Sequence, residues 1–382
     1  MTKTIILIDD EADAASPADL YGEEMQAAAD GRLSVLTRRP GSMAATLELI
    51  AEAKPDGLLL DVALTNALGV DGAPIGFDGI ALAQQIRTMQ TRALSQRAAG
   101  LPEFPLIRLS KKDVIREYVS GDSTSDDLFD EKIDKEEILR DAADVARRAY
   151  SLAADYPRVI AFARSERAEG ALADLLGCEA ALLSRLDARA LLGLRRPDAP
   201  AHILARYLTG TLLARPGPLV AEPLLAVRLG VDPARSEDWP VLLSSLGSAA
   251  YRGPFCEGYP RWWFALVLDW WQGKVDADRP PFRLTAPERA EALRERTDLR
   301  RLEAFREDPD SPGLKFWHLC SKSGRPVDPS AGFALMPTWG QETWQDAEYL
   351  CLEEALRSRH DARLGPAERS RLAIQANRKS GS

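Results

Sequence analysis

From the fourth residue to about residue 150, short aliphatic runs alternate with stretches whose apolar residues recur at helical spacing. The runs predict strands over residues 4–8, 33–37, 57–60, 106–109 and 127–129. The intervening stretches predict helices over 17–29, 42–53, 79–91 and 135–154, with Ser16 and Ser42 as N-caps and Pro17 in the first turn. The apolar runs are continuous rather than alternating, so these strands are buried on both faces, which a parallel sheet between two layers of helices requires. The pattern therefore predicts a doubly wound five-stranded parallel α/β sheet. Beyond residue 157 it changes. "EGALADLLGCEAALLSRLDARALLGL" and "PERAEALRERTDLRRLEAF" combine helical spacing with strong helix formers, predicting a mainly α-helical second domain. The expected domains are residues 1–156 and 157–382.

Open sheets of this kind bind ligands beyond the carboxyl ends of their strands. Asp9 and Asp10 end the first run, Asp61 the third and Ser110 the fourth, and Lys132 follows the fifth in "DDLFDEKIDKEEIL". Carboxylates gathered at one point repel one another unless a cation stands between them.

This set, with the "FDGIALAQQIR" stretch, resembles the receiver domain of bacterial two-component response regulators (CheY-like). The resemblance covers residues 2–150 and implies the flavodoxin-like form of the doubly wound sheet. It implies that Asp61 is the phosphoacceptor, that Asp9, Asp10, Asp61 and the Ala63 carbonyl hold Mg²⁺, and that Ser110 and Lys132 bind the phosphoryl group. It further implies a switch made by Ser110 and Phe129, the aromatic three residues before the lysine, and a histidine kinase or partner protein as correspondent. No catalysis beyond phosphoryl acceptance and autodephosphorylation is implied. Two extensions depart from the family, "VALTNALGVDGAPIG" before Asp78 and Gly79, and "TRALSQRAAGLPEF" before the fourth strand; Ile133 stands where a proline commonly follows the lysine. The fourth-helix and fifth-strand face, with Val114, Ile115 and Tyr118, is the expected surface for a neighbour or a homodimer.

Charge narrows the partners. Residues 1–150 hold roughly 17 basic and 27 acidic side chains and the remainder is nearly neutral, so specific nucleic-acid binding is not expected. "PLLAVRLGVDPARSEDWPVLLSSL" has a helix-turn-helix outline, but its second helix offers Glu237, Asp238 and Trp239 against a single Arg235. No apolar run reaches the roughly 18 residues of a membrane span and no basic leader is seen, so a cytoplasmic protein without membrane contact is expected. Cys178, Cys256, Cys320 and Cys351 form no CxxC pair, which points to neither a disulfide framework nor a zinc ribbon. The aromatics of "YPRWWFALVLDWWQGKV" read as a core helix, with a ligand cage or partner anchor as the alternative. "KFWHLCSKSGRPVDPSAGF" brings His318, Cys320 and Ser323 together in sequence with no acid placed to orient the histidine; His202 and His360 are isolated. The tail from Asn377 is expected to fray.

Three functions are thus in view. The first is a signalling protein in which Asp61 phosphorylation with Mg²⁺ controls a helical output domain that does not bind DNA. The second is a pseudo-receiver adaptor or scaffold that works without phosphorylation in a multi-protein bacterial system. The third is an enzyme with its site in residues 157–382.

Overall fold

The computed structural model describes all residues except 13–15, 65–67, 71, 73, 97–99, 111–124, 339, 381 and 382. Val114, Ile115 and Tyr118, the expected docking face, lie outside the described residues. In the amino-terminal region the elements run β1 (Lys3–Ile8), α1 (Pro17–Ala28), β2 (Leu33–Arg38), α2 (Met43–Ala53), β3 (Gly57–Asp61), α3 (Gly79–Gln96), β4 (Leu106–Ser110) and β5 (Glu131–Asp134). All five strands are parallel, in the order β2-β1-β3-β4-β5. This is a doubly wound flavodoxin-like sheet. Ile5 to Ile8, Leu58 to Leu60, Leu106, Ile107 and Leu109 are buried in it. Ser16 and Ser42 cap α1 and α2 by accepting from the Asp19 and Ala45 amides. The second extension leaves α3 longer than expected, and after it Leu101 and Phe104 pack into the core.

The fifth strand corrects the expectation. Residues 125–128 form a 3₁₀ turn, and pairing with β4 begins at Glu131. Asp130 explains the shift: its amide donates to the Leu106 carbonyl, while its carboxylate accepts from the Leu106 amide at 2.8 Å and from buried Arg87 of α3 at 2.6 Å. Arg87 also donates to the carbonyls of Leu128 and Phe104 and to Gln90. The apolar pair Leu128-Phe129 is thus drawn into the core ahead of the strand. β5 itself, at the sheet edge, has only Ile133 buried.

The helix expected over 135–154 is two helices, Lys135–Arg140 and Ala142–Ala163, because Asp141 ends one and caps the other. The expected domain boundary at 156/157 falls inside the second. The chain forms two compact units: Met1–Leu183 with Leu191–Ala214 and Arg252–Tyr259, and Ser184–Ala190 with Arg215–Tyr251 and Pro260–Ser382. In the first, Tyr156 reaches Asp130 at 3.3 Å and Thr209 donates to the Asp130 carbonyl at 2.8 Å, so helices well beyond residue 156 close over the start of β5.

In the second unit, Trp239, Trp262, Trp271, Leu225, Leu242 and Leu293 belong to one helix-rich core. Trp262–Trp263 is a two-residue strand rather than part of the helix, which starts at Phe264. The second helix of the expected helix-turn-helix, Trp239–Ser245, packs Trp239 and Leu242 into that core, and the Trp239 indole donates to Glu222 at 2.9 Å. Toward the carboxyl end the helices give way to two-residue hairpins, and the last helix, Pro366–Ser380, includes residues 377–380, where fraying was expected. Among the described residues no helix is long and apolar enough to cross a membrane.

Candidate functional site

Parallel strands present their carboxyl ends to one rim, and chemistry collects there. Asp9 follows β1, Asp61 ends β3, Ser110 ends β4, and Asp134 ends β5 and caps the helix begun by Lys135. One oxygen each from Asp9, Asp10 and Asp61 lies within 4.8 Å of the others, with Asp9 and Asp61 buried and Asp10 half-buried.

The lysine at this rim is Lys135. Its ammonium donates to Asp9 Oδ2 at 2.9 Å and to Asp61 Oδ2 at 2.7 Å, and it is buried. Lys132, expected in that role, is exposed in the middle of β5, opposite Arg108. The three-residue displacement follows from the late start of the strand. A sequence signal for it existed. Asp134 is followed by Lys135, Glu136 and Glu137, an N-cap with an acidic first turn, and Asp134 does accept from the Glu136 amide at 3.0 Å. A strand that must end at that cap leaves Lys135 at the rim.

Phe129 moves for the same reason. It is buried next to Asp130, whose amide pairs with the first residue of β4, whereas Ser110 is the last residue of β4. Four strand steps, about 13 Å, separate those ends. Ser110 and Phe129 therefore do not share a cavity as the expected switch needs, and the position three before Lys135 is Lys132.

Ser110 Oγ is buried and has no hydrogen-bond partner among the described residues. Ala63 borders the site through its amide, which donates to Asp61 Oδ1 at 3.4 Å. Gly79 fixes the approach of α3: a Cβ there would overlap the Asp61 carbonyl oxygen, and its amide donates to Val62 at 3.0 Å. Asp78 caps the same helix through the Ala81 amide at 2.7 Å. The first extension returns beside the rim, where the Leu68 carbonyl accepts from Arg39 at 2.9 Å and the Val70 amide donates to Pro40. Leu68 and Val70 are exposed there.

The electrostatics are unbalanced toward negative charge. Burial raises the Asp61 carboxyl to about 6, Lys135 opposing and Asp9 adding to the effect. Burial, then Asp9 and Glu11, raise Asp10. Burial works against the Lys135 charge, yet Asp61 and Asp9 together raise its pKa. Burial is thus the larger cause for the two carboxyls and the facing carboxylates the cause for the ammonium; with one ammonium among three carboxylates, the rim carries an excess of negative charge when all are ionised. Oxygens around one octahedral Mg²⁺ lie at most about 4.2 Å apart. The aspartates stand near that reach, and their charge and oxygen donors suit a hard divalent cation.

This part of the chain is a doubly wound, flavodoxin-like sheet with its carboxylates at the strand ends. Solved structures similar to it include the receiver domain of NtrX from Brucella abortus (22% identity, TM-score 0.26, covering 38% of this chain and 97% of that one). NtrX from the same organism matches at 21% identity and TM-score 0.28, over 40% of this chain and only 28% of that chain. The BeF3-activated N-terminal receiver domain of RstA from Klebsiella pneumoniae matches at 19% identity and TM-score 0.22, over 35% of this chain and 85% of that one. No protein-family model and no curated protein matches the chain.

Proposed function

We propose that this is a response-regulator-like signalling protein in which Asp61 accepts a phosphoryl group and the state of that group controls the remainder of the chain through protein contacts. The supporting observation is the charge at the rim: three carboxylates against one ammonium leave what a divalent cation would neutralise. Asp9, Asp10 and Asp61, with the Ala63 carbonyl, would hold Mg²⁺, which when bound offsets the charge of the incoming phosphoryl oxygens. The Asp61 carboxylate attacks phosphorus, and the donor's leaving atom departs with the bonding pair: the imidazole nitrogen of a phosphohistidine, or the bridging oxygen of acetyl phosphate. Lys135 exchanges its bond to Asp61 Oδ2 for one to a phosphoryl oxygen, and the Ser110 hydroxyl supplies a second donor. A histidine kinase or a partner protein is the proposed correspondent, and the protein acts in the cytoplasm.

The pseudo-receiver reading has one observation in its favour. Asp61 is only 5% exposed, with Oδ2 on Lys135 and Oδ1 facing the Ala63 amide. Acetyl phosphate or beryllofluoride decides between the two readings. Wild type should shift in a phosphate-affinity gel only with Mg²⁺ present; Asp61→Asn and Lys135→Ala should abolish the shift, and Lys132→Ala should leave it intact. A wild type indistinguishable from Asp61→Asn makes the chain a pseudo-receiver, and loss in Lys132→Ala alone overturns the assignment of Lys135.

A further inference from the structure

The second unit carries a cluster that the receiver chemistry does not use. Cys320 follows the two-residue strand His318–Leu319, which pairs antiparallel with Pro326–Val327. The turn between them is tight: the Cys320 amide donates to Arg325 at 2.8 Å, the Gly324 amide donates back to the Cys320 carbonyl at 2.9 Å, and Gly324 sits at φ +68°. Cys351 lies 31 residues on, immediately before the helix Leu352–Arg357. A parallel bridge between Cys320 and Tyr349 brings the two segments together, and both cysteines are buried in one small core with Val327, Phe333 and Leu350.

Ser323 of that turn faces Cys351, its Oγ 3.6 Å from Cys351 Sγ, and the bridge from Cys320 to Tyr349 sets the other thiol on the same turn. The separation is informative. A sulfur about 2.3 Å and an oxygen about 2.1 Å from one tetrahedral ion lie about 3.6 Å apart. The sequence carries the same logic twice, as Cys320-x-x-Ser323 on a turn and Cys351-x-x-Glu354 entering a helix. The Glu354 carboxylate accepts from Arg357 at 2.9 Å.

We propose that Cys320, Cys351 and Ser323 form a binding site for a soft, tetrahedral divalent cation of the zinc class, with a fourth position completed by a carboxylate or water. Binding displaces the two thiol protons, leaving two thiolates that neutralise the ion within the protein. Two-residue hairpins are marginal alone, and an ion joining the turn to the helix would cross-link the lobe they build. The site is independent of the aspartate rim and uses soft donors where the rim uses hard ones.

Full-length protein reconstituted with Zn²⁺ and passed over a desalting column should retain about one zinc per chain by elemental analysis. Cys320→Ser and Cys351→Ser should retain none, while Asp61→Asn should retain as much as wild type, which separates this site from the receiver's. Co²⁺ in place of zinc should give a thiolate charge-transfer band that Cys351→Ser lacks. Should the cysteine variants fail to fold, Ser323→Ala keeps both thiols and should lose zinc to less chelator than wild type. A reconstituted wild type without zinc overturns the proposal, whether its four cysteines titrate as free thiols in denaturant or two are missing as a disulfide. Zinc retained equally by Cys320→Ser overturns it too.

Discussion

Ionising Asp61 costs the folded chain free energy, because the carboxylate is buried and shares one ammonium with its neighbours. Its pKa, about 6, stands above the 3.8 of an ordinary aspartate. The folded state therefore holds a proton that the unfolded chain releases, so stability falls as pH rises from about 4 through 6 and is lowest above that window. Asp61→Asn removes the ionisation. At pH 7.5 without divalent cations it should stabilise the protein by roughly 1–3 kcal/mol, and the gain over wild type should vanish near pH 4. Urea titration at the two pH values reads this directly; a variant no more stable at pH 7.5 than wild type would refute the electrostatic account. Lys135 was the hardest residue to place from sequence. One lysine lies within the fifth strand and one follows it, and only the cap at Asp134 distinguishes them.

At the scale of elements, the start of β5 depends on one buried ion pair. Arg87 and Asp130 have side chains 5% and 0% exposed, and Asp130 also bonds the Leu106 amide and Tyr156. Removing one partner leaves a buried charge uncompensated, which costs about 3–5 kcal/mol. Asp130→Ala should lower the unfolding midpoint accordingly, and hydrogen exchange should show lost protection across Glu131–Asp134 and in β4. Protection lost elsewhere with β5 intact would show that the pair does not set the strand. Periodicity revealed four of the five strands because each carries at least three aliphatic residues. The fifth escaped it because Ile133 is its one aliphatic residue, while the stronger apolar signal, Leu128-Phe129, belongs to the core before the strand.

At the scale of the whole molecule, the acidic first part of the chain offers few cations for counterion release. The helix that a DNA reader would present instead buries Trp239 and Leu242, and both acids before it are engaged: Glu237 pairs with the Arg301 side chain, and Asp238 accepts from the Arg301 amide at 2.8 Å. Full-length protein at physiological salt should therefore give no footprint on duplex DNA at nanomolar concentration. A protected sequence would reopen the helix-turn-helix reading. The compact unit around the sheet runs past residue 156, since Tyr156 and Thr209 both bond Asp130. Truncation after residue 156 would uncover that contact.

The chain's own order of residues determined the parallel sheet, the rim and the carboxylates on it, because burial on both faces writes continuous apolar runs and strand ends follow from where those runs stop. It determined Asp9, Asp10 and Asp61 as a group through position alone. Tertiary structure decided which lysine meets them, because that depends on where β5 begins, and β5 begins where Asp130 and Arg87 find each other across 43 residues. Tertiary structure also decided that Phe129 lies away from Ser110, and that Cys320 and Cys351 meet at all. Those pairings join distant segments through buried polar groups, and no local period in the sequence records them.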